Sequence, residues 1–135
     1  DKVGEGLPPL VRKVKEAGKQ VVWSCDPMHG NTTKTGSGYK TRIFDSVLSE
    51  LRQFIEVLRA EGQEPGGVHF EMTGQDVTEC VGGAKGIDEE GLGINYETYC
   101  DPRLNYEQSL EMAFMVARQW KESFAEVLDN YNYHR

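Results

Sequence analysis

The sequence predicts an α/β fold, about two βα repeats of a (β/α)8 barrel preceded by a helix, and three observations predict it. Short apolar β-branched runs alternate with longer amphipathic stretches, in the order helix, strand, helix, strand, long loop, helix. Strands alternating with helices imply parallel βαβ units. Along residues 68–72, Val68, Phe70 and Met72 alternate with His69 and Glu71. Period-two alternation places the two ionisable side chains on one strand face, opposite an apolar one. That suits a barrel strand with helices outside and a site inside. Finally, the chain has 135 residues, whereas a closed barrel takes about 250. Residues 1–135 therefore form a single segment that cannot close a barrel alone.

The elements follow in order. Gly6-Leu7-Pro8-Pro9-Leu10 opens a helix, since proline in the first turn lacks only an N–H that would be unpaired anyway. Leu10, Val11, Val14 and Ala17 form its apolar stripe, and Gly18 stops it. Gln20 to Cys25 is short, apolar and β-branched, the pattern of a buried strand. Residues 30–42 form a loop rich in Gly, Thr and Ser. Residues 43–61 keep helical spacing through Ile43, Phe44, Val47, Leu48, Leu51, Phe54, Ile55 and Leu58. This is a core-packing face, ended by Gly62. Pro65-Gly66-Gly67 turns into the strand Val68 to Met72. The stretch from Thr73 to Gly93 is glycine-rich and irregular, and loops of that length are usually functional or mobile. The last helix runs from Tyr106 to about Leu128, with Leu110, Ala113, Phe114, Ala117, Trp120, Phe124 and Leu128 as its apolar face. The polar tail, residues 129–135, frays.

A net charge of −7 argues against general nucleic-acid binding. No apolar run approaches the roughly 20 residues needed to span a bilayer. The N-terminus has no signal-peptide pattern. It does not begin with Met, so the chain is expected to be processed or cut from something longer. The three cysteines, Cys25, Cys80 and Cys100, are widely spaced, which is not a secreted disulfide framework. Reduced thiols in a cytoplasmic protein are expected, and Cys25 and Cys100 read as buried small apolar residues.

Three side chains stand out as candidate metal ligands. His29 lies in Cys25-Asp26-Pro27-Met28-His29-Gly30-Asn31-Thr32, just beyond the first strand. Glu71 lies on the polar face of the second, where an acid is costly without a partner. Asp101 lies in Cys100-Asp101-Pro102-Arg103-Leu104-Asn105, a setting also typical of turns and caps. Each alone has an ordinary structural reading. Together they gather on the side where barrel enzymes place their chemistry. A mixed N/O set suits Mn, Fe, Co or Zn. The loop before the second helix carries Lys34, Lys40 and Arg42 and no acid. In an acidic chain it is either a phosphate- or carboxylate-attracting loop, with Lys40 and Arg42 as substrate contacts, or a solvated surface loop. It lacks the Gly-Lys-Ser/Thr ending of a Walker loop.

At these residues the sequence resembles the type II 3-deoxy-D-arabino-heptulosonate 7-phosphate (DAHP) synthases. The resemblance rests on residues 25–32, on Gly66-Gly67-Val68-His69-Phe70-Glu71-Met72-Thr73-Gly74, on Val77-Thr78-Glu79-Cys80-Val81-Gly82-Gly83 and on residues 96–105. Pro8-Pro9-Leu10 and Ser37-Gly38-Tyr39-Lys40-Thr41-Arg42 fit as well. It covers nearly the whole chain up to the final helix. It implies that this is the C-terminal portion of a (β/α)8 TIM barrel, holding the last two strands. The implied reaction condenses phosphoenolpyruvate with erythrose 4-phosphate and releases phosphate, opening the shikimate pathway to aromatic amino acids. The family binds one divalent metal ion through a Cys, a His, a Glu and an Asp, and the last three match His29, Glu71 and Asp101. The implied metal polarises the aldehyde of the sugar phosphate.

The departures are equally specific. The family's metal-binding Cys lies upstream and is absent here, and none of Cys25, Cys80 and Cys100 replaces it. Cys100 matches a position that in the family lies near that missing Cys. Most of the phosphate grip is also upstream. The isolated chain is therefore expected to be inactive without the upstream half of the barrel, to expose apolar edges and to self-associate as a homo-oligomer. Two other readings remain open: a non-catalytic barrel fragment acting as a binding or regulatory module, and a metal-dependent aldolase or lyase of another substrate. The latter leaves the Thr-Glu-Cys and Asp-Pro-Arg-Leu-Asn motifs unexplained.

Overall fold

The computed structural model describes the backbone of residues 2–133 and the side chains of residues 2–121. It is a mixed α/β arrangement. Helix α1 (Val3–Glu16) leads to strand β1 (Trp23–Cys25). A short hairpin follows, made of β2 (Thr32–Lys34) and β3 (Lys40–Arg42). Helix α2 (Phe44–Ala60) then connects to β4 (Pro65–Val68), and a long irregular segment leads to α3 (Tyr106–Tyr133). Strands β1 and β4 pair in parallel, as the alternation of strand and helix requires. No helix among the described residues is long and apolar enough to cross a membrane.

Helix α2 is the centre of the core. Phe44, Val47, Leu51, Phe54, Ile55 and Leu58 are buried along one face, and each such side chain contributes about 1.5–3 kcal/mol. Ile43 stays extended outside the helix and half-exposed. Both α1 and α2 end as their glycines predict. Gly62 has φ +67, its N–H reaches Arg59 O at 2.9 Å, and Gln63 N reaches Leu58 O at 2.8 Å. Gly18, φ +63, terminates α1 with the same pair of bonds, to Lys15 O and Val14 O. These are Schellman motifs, which satisfy the last carbonyls of a helix.

Several sequence expectations shift. Helix α1 starts at Val3, so Pro8 and Pro9 lie inside it. Its packed stripe is Val3, Leu7 and Val11, while Leu10 is exposed. β1 is shorter than residues 20–25, and Val21 and Val22 are exposed, because its only described ladder partner, β4, covers Trp23 to Cys25. β4 in turn includes the expected turn Pro65-Gly66-Gly67 and ends at Val68. Its tight approach needs Gly66, where a Cβ would lie 2.4 Å from Val22 Cγ1. His69 N still donates to Cys25 O (2.8 Å); beyond it the chain leaves β1, and Met72 pairs with Leu104 instead. The loop at residues 30–42 is a hairpin, because Thr32, Thr33 and Thr41 suit a ladder and Gly38, φ +92, turns the chain.

Helix α3 presents a different face from the expected one. Gln108, Met112 and Met115 are buried, whereas Leu110 and Phe114 are exposed. The cause is a capping box at its start. Gln108 N donates to Asn105 Oδ1 (2.9 Å), and Asn105 N donates to Gln108 Oε1 (3.1 Å). Gln108 Nε2 also donates to Cys80 O and Gly82 O. These bonds fix residue 108 inward and set the helix's rotation. Trp120 packs against the core as expected. Phe124, Leu128 and the tail's side chains lie outside the described residues, and the helix backbone continues past Leu128 to Tyr133.

Candidate metal centre

Because β1 and β4 are parallel, their C-terminal ends open on the same side, and the chain beyond each delivers one polar side chain there. His29 follows β1 at the start of a short 3-10 turn, His29–Asn31. Glu71 follows β4. The loop bearing Asp101 is hooked onto the same chain: Leu104 N donates to Glu71 O (3.0 Å), and Thr73 N donates to Leu104 O (2.9 Å).

Each of the three side chains is held by a second group that leaves one donor atom free. Asp26 Oδ1 accepts from the N–H groups of Met28 (3.0 Å) and His29 (3.2 Å). Its Oδ2 lies 2.7 Å from His29 Nδ1. Burial pushes the Asp26 carboxyl up, but these bonds outweigh it and hold the group below its ordinary value. As a carboxylate it accepts only, so Nδ1 carries a proton, and in the neutral ring it is Nε2 that carries the lone pair. Arg42 Nη1 binds Glu71 Oε2, leaving Oε1. Lys40 Nζ binds Asp101 Oδ1, leaving Oδ2. The Lys40 bond holds the Asp101 carboxyl below its ordinary value and raises Lys40.

The free atoms converge. His29 Nε2 is 3.3 Å from Glu71 Oε1 and 4.0 Å from Asp101 Oδ2, and all three lie within 4.8 Å of one another. Three electron-pair donors facing a common point repel unless a proton or a cation lies between them. The donor set, one imidazole and two carboxylates held by outer partners, fits a divalent ion. A second triplet shares His29: Asp26, His29 and His69 also bring ligand atoms within 4.8 Å. There, however, the Asp26–His29 bond already uses Nδ1. His69 is exposed and stacks on His29, with centroids 5.9 Å apart.

The structure thus brings His29, Glu71 and Asp101 together. It turns Lys40 and Arg42, the expected substrate contacts, onto two of those carboxylates. Lys40 is partly exposed, whereas Arg42 has no exposed surface. Cys25 and Cys80 are buried in the core, and that burial pushes their thiols up to about 12, while Cys100 is exposed, unlike the expectation. Sequence reasoning assigned no role to Asp26 or to the Glu79–Arg103 pair. Glu79 is wholly buried and binds Arg103 through Nη2 (2.6 Å), Nε (3.0 Å) and the backbone N (2.7 Å). The signals present were an Asp three residues before His29 and an acid beside the apolar Cys80-Val81.

This geometry defines a class: an α/β unit that presents, at one point beyond the ends of its parallel strands, an imidazole and a carboxylate from the chain after each strand and a second carboxylate from a loop. Comparison with known proteins makes it particular. The model of the class-II DAHP synthetase family matches residues 1–117, and the chain belongs to that family. A phospho-2-dehydro-3-deoxyheptonate aldolase, AroG, of Mycolicibacterium smegmatis is 53% identical over 122 residues, covering 90% of this chain and 26% of the relative. A phospho-2-dehydro-3-deoxyheptonate aldolase of Streptomyces coelicolor is likewise 53% identical, with 27% of its length covered. The chain therefore spans about a quarter of the curated relatives it matches.

Proposed function

We propose that this chain supplies the last two βα repeats of a (β/α)8 barrel in a DAHP synthase. That enzyme condenses phosphoenolpyruvate with erythrose 4-phosphate and releases phosphate, at the entry to aromatic amino acid biosynthesis in the cytoplasm. The observation that carries this reading is the convergence of His29 Nε2, Glu71 Oε1 and Asp101 Oδ2, in a chain whose family is known. These three residues would hold one divalent ion, manganese or a similar metal, together with a ligand from outside residues 1–135. When bound, the metal supplies Lewis acidity toward the aldehyde of the sugar phosphate.

The chain's own residues prepare that site. Asp26 sets the tautomer of His29 and aims its Nε2. Arg42 and Lys40 each neutralise one oxygen of a carboxylate and orient the other inward. Lys40, partly exposed at the rim, is also placed to meet an anionic substrate group. Exposed apolar side chains such as Val22, Ile94, Leu110 and Phe114 are the surfaces on which the rest of the barrel, or a second copy, would pack.

The test is an assay of the complete gene product with both substrates, before and after exhaustive chelation. DAHP formation is expected to disappear on chelation and to return on adding Mn²⁺ or Co²⁺. Activity indifferent to chelation sinks the metal role. A complete gene product that forms no DAHP with any divalent ion favours a non-catalytic module instead.

A further inference from the structure

We propose that Arg42 is the positioning residue of the three-ligand site, fixing His29, Glu71 and Asp101 relative to one another through one guanidinium; the inference rests on the metal reading above. Its Nε donates to Met28 O (2.8 Å) and Thr32 Oγ1 (3.1 Å). Its Nη1 donates to Glu71 Oε2 and to Pro102 O. Met28 immediately precedes His29, and Pro102 immediately follows Asp101. One planar group therefore bonds to Glu71 itself and to the neighbour of each other ligand.

The three ligands come from segments that share little regular ladder. The β1–β4 pairing ends at Cys25 and Val68, before His29 and Glu71, so the strands alone do not set the distance between them. Arg42 spans that gap from a fixed base. It is the last residue of β3, and its own carbonyl accepts from Val81 N at 2.9 Å. No part of the side chain is exposed, so it offers no surface to substrate. Its Nη2 is buried without a hydrogen-bond partner among the described residues. That placement engages Nε and Nη1 rather than Nη2. It is the one that lets Nε and Nη1 reach all three segments. A fixed fork can do this, whereas an ammonium acts from a single point.

Co²⁺ binding to the complete gene product tests this, read as affinity by competition with a chromophoric chelator and as the d–d absorption of the bound ion. Arg42→Lys keeps the charge and loses the fork. It is expected to weaken Co²⁺ binding about 10–100-fold and to change the d–d band. Thr32→Val removes one acceptor of Nε and is expected to weaken binding by a smaller factor with the fold intact. Leu51→Ala, a core change on α2 that alters no hydrogen bond of Arg42, is expected to lower stability and leave Co²⁺ affinity and spectrum unchanged. If Arg42→Lys does not fold, Thr32→Val decides: weaker binding supports the role, and wild-type affinity overturns it. Wild-type affinity and spectrum in both site variants, or equal weakening in Leu51→Ala, also overturns it. Wild-type protein that binds no Co²⁺ overturns the metal reading and this inference with it.

Discussion

His29→Ala in the complete gene product is expected to lower DAHP formation by about three orders of magnitude, the scale of losing several kcal/mol of Lewis-acid stabilisation. The fold should survive, because His29 is half-exposed and its ring stacks on His69, which is itself exposed. What is lost is the one nitrogen among three donors. Glu71 Oε1 and Asp101 Oδ2 remain, still held by Arg42 and Lys40, and two carboxylates bind a divalent ion more weakly than the set of three. Metal content by mass spectrometry and turnover should fall together, with far-UV circular dichroism unchanged. Full activity with full metal occupancy would remove His29 from the site. Asp26→Asn is the milder companion. It keeps the turn and leaves the tautomer of His29 unforced, so metal affinity drops while the ligand set is complete.

Arg103→Ala has the largest expected effect on stability. It strips Glu79, which is wholly buried, of a two-point partner and leaves, among the described residues, the N–H groups of Arg103 and Glu97. Removing one member of a fully buried pair costs about 3–5 kcal/mol, mostly because the remaining charge is uncompensated; the Arg103 side chain is 30% exposed, so the loss is expected at or below the lower end of that range. Asp101 lies two residues before Arg103 on the same loop, so metal affinity should fall too.

The pH dependence follows in sign. Burial pushes the Glu79 carboxyl up, but its bonds to Arg103 prevail and hold it below the ordinary 4.5. A carboxyl depressed on folding stabilises above its unfolded value and loses that contribution as pH falls through its folded value. Without Arg103, burial is left to push the Glu79 carboxyl up, so the difference in unfolding midpoint between wild type and Arg103→Ala should be largest at neutral pH and shrink as pH falls from the raised value of the variant's carboxyl to the depressed value of the wild type's. Adding Glu79→Gln to Arg103→Ala should recover part of the loss, because no buried charge is then left. Equal midpoints at neutral pH would show that the pair holds nothing.

What was legible in the sequence follows from how local each signal is. The stripe of α2 and the stops at Gly18 and Gly62 depend on neighbours within one or two turns, and they sit where the pattern places them. The strand limits depend on partners far along the chain. Val21 and Val22 have strand propensity, but in the described chain β4 pairs only with Trp23 to Cys25. The face of α3 was misplaced because Leu110 and Phe114 outweigh Gln108 in hydrophobicity, whereas the Asn105–Gln108 capping box fixes the helix's rotation. The three candidate ligand residues, which the fold brings within 4.8 Å of one another, stand out in the sequence through their settings near strand ends and the family motifs around them. The residues that aim them were not: Asp26, Arg42 and Lys40 meet their partners through the fold, at separations of 3, 29 and 61 residues. Only the first of these is short enough to read as a motif.

The central claim is that His29, Glu71 and Asp101 hold one divalent ion. It is tested most directly by anomalous diffraction at the manganese edge from crystals of the complete gene product grown with Mn²⁺. The expected result is a single peak about 2 Å from His29 Nε2, Glu71 Oε1 and Asp101 Oδ2. A peak on the Asp26 and His69 side of His29, or no peak at the three atoms in protein that retains its manganese, contradicts it.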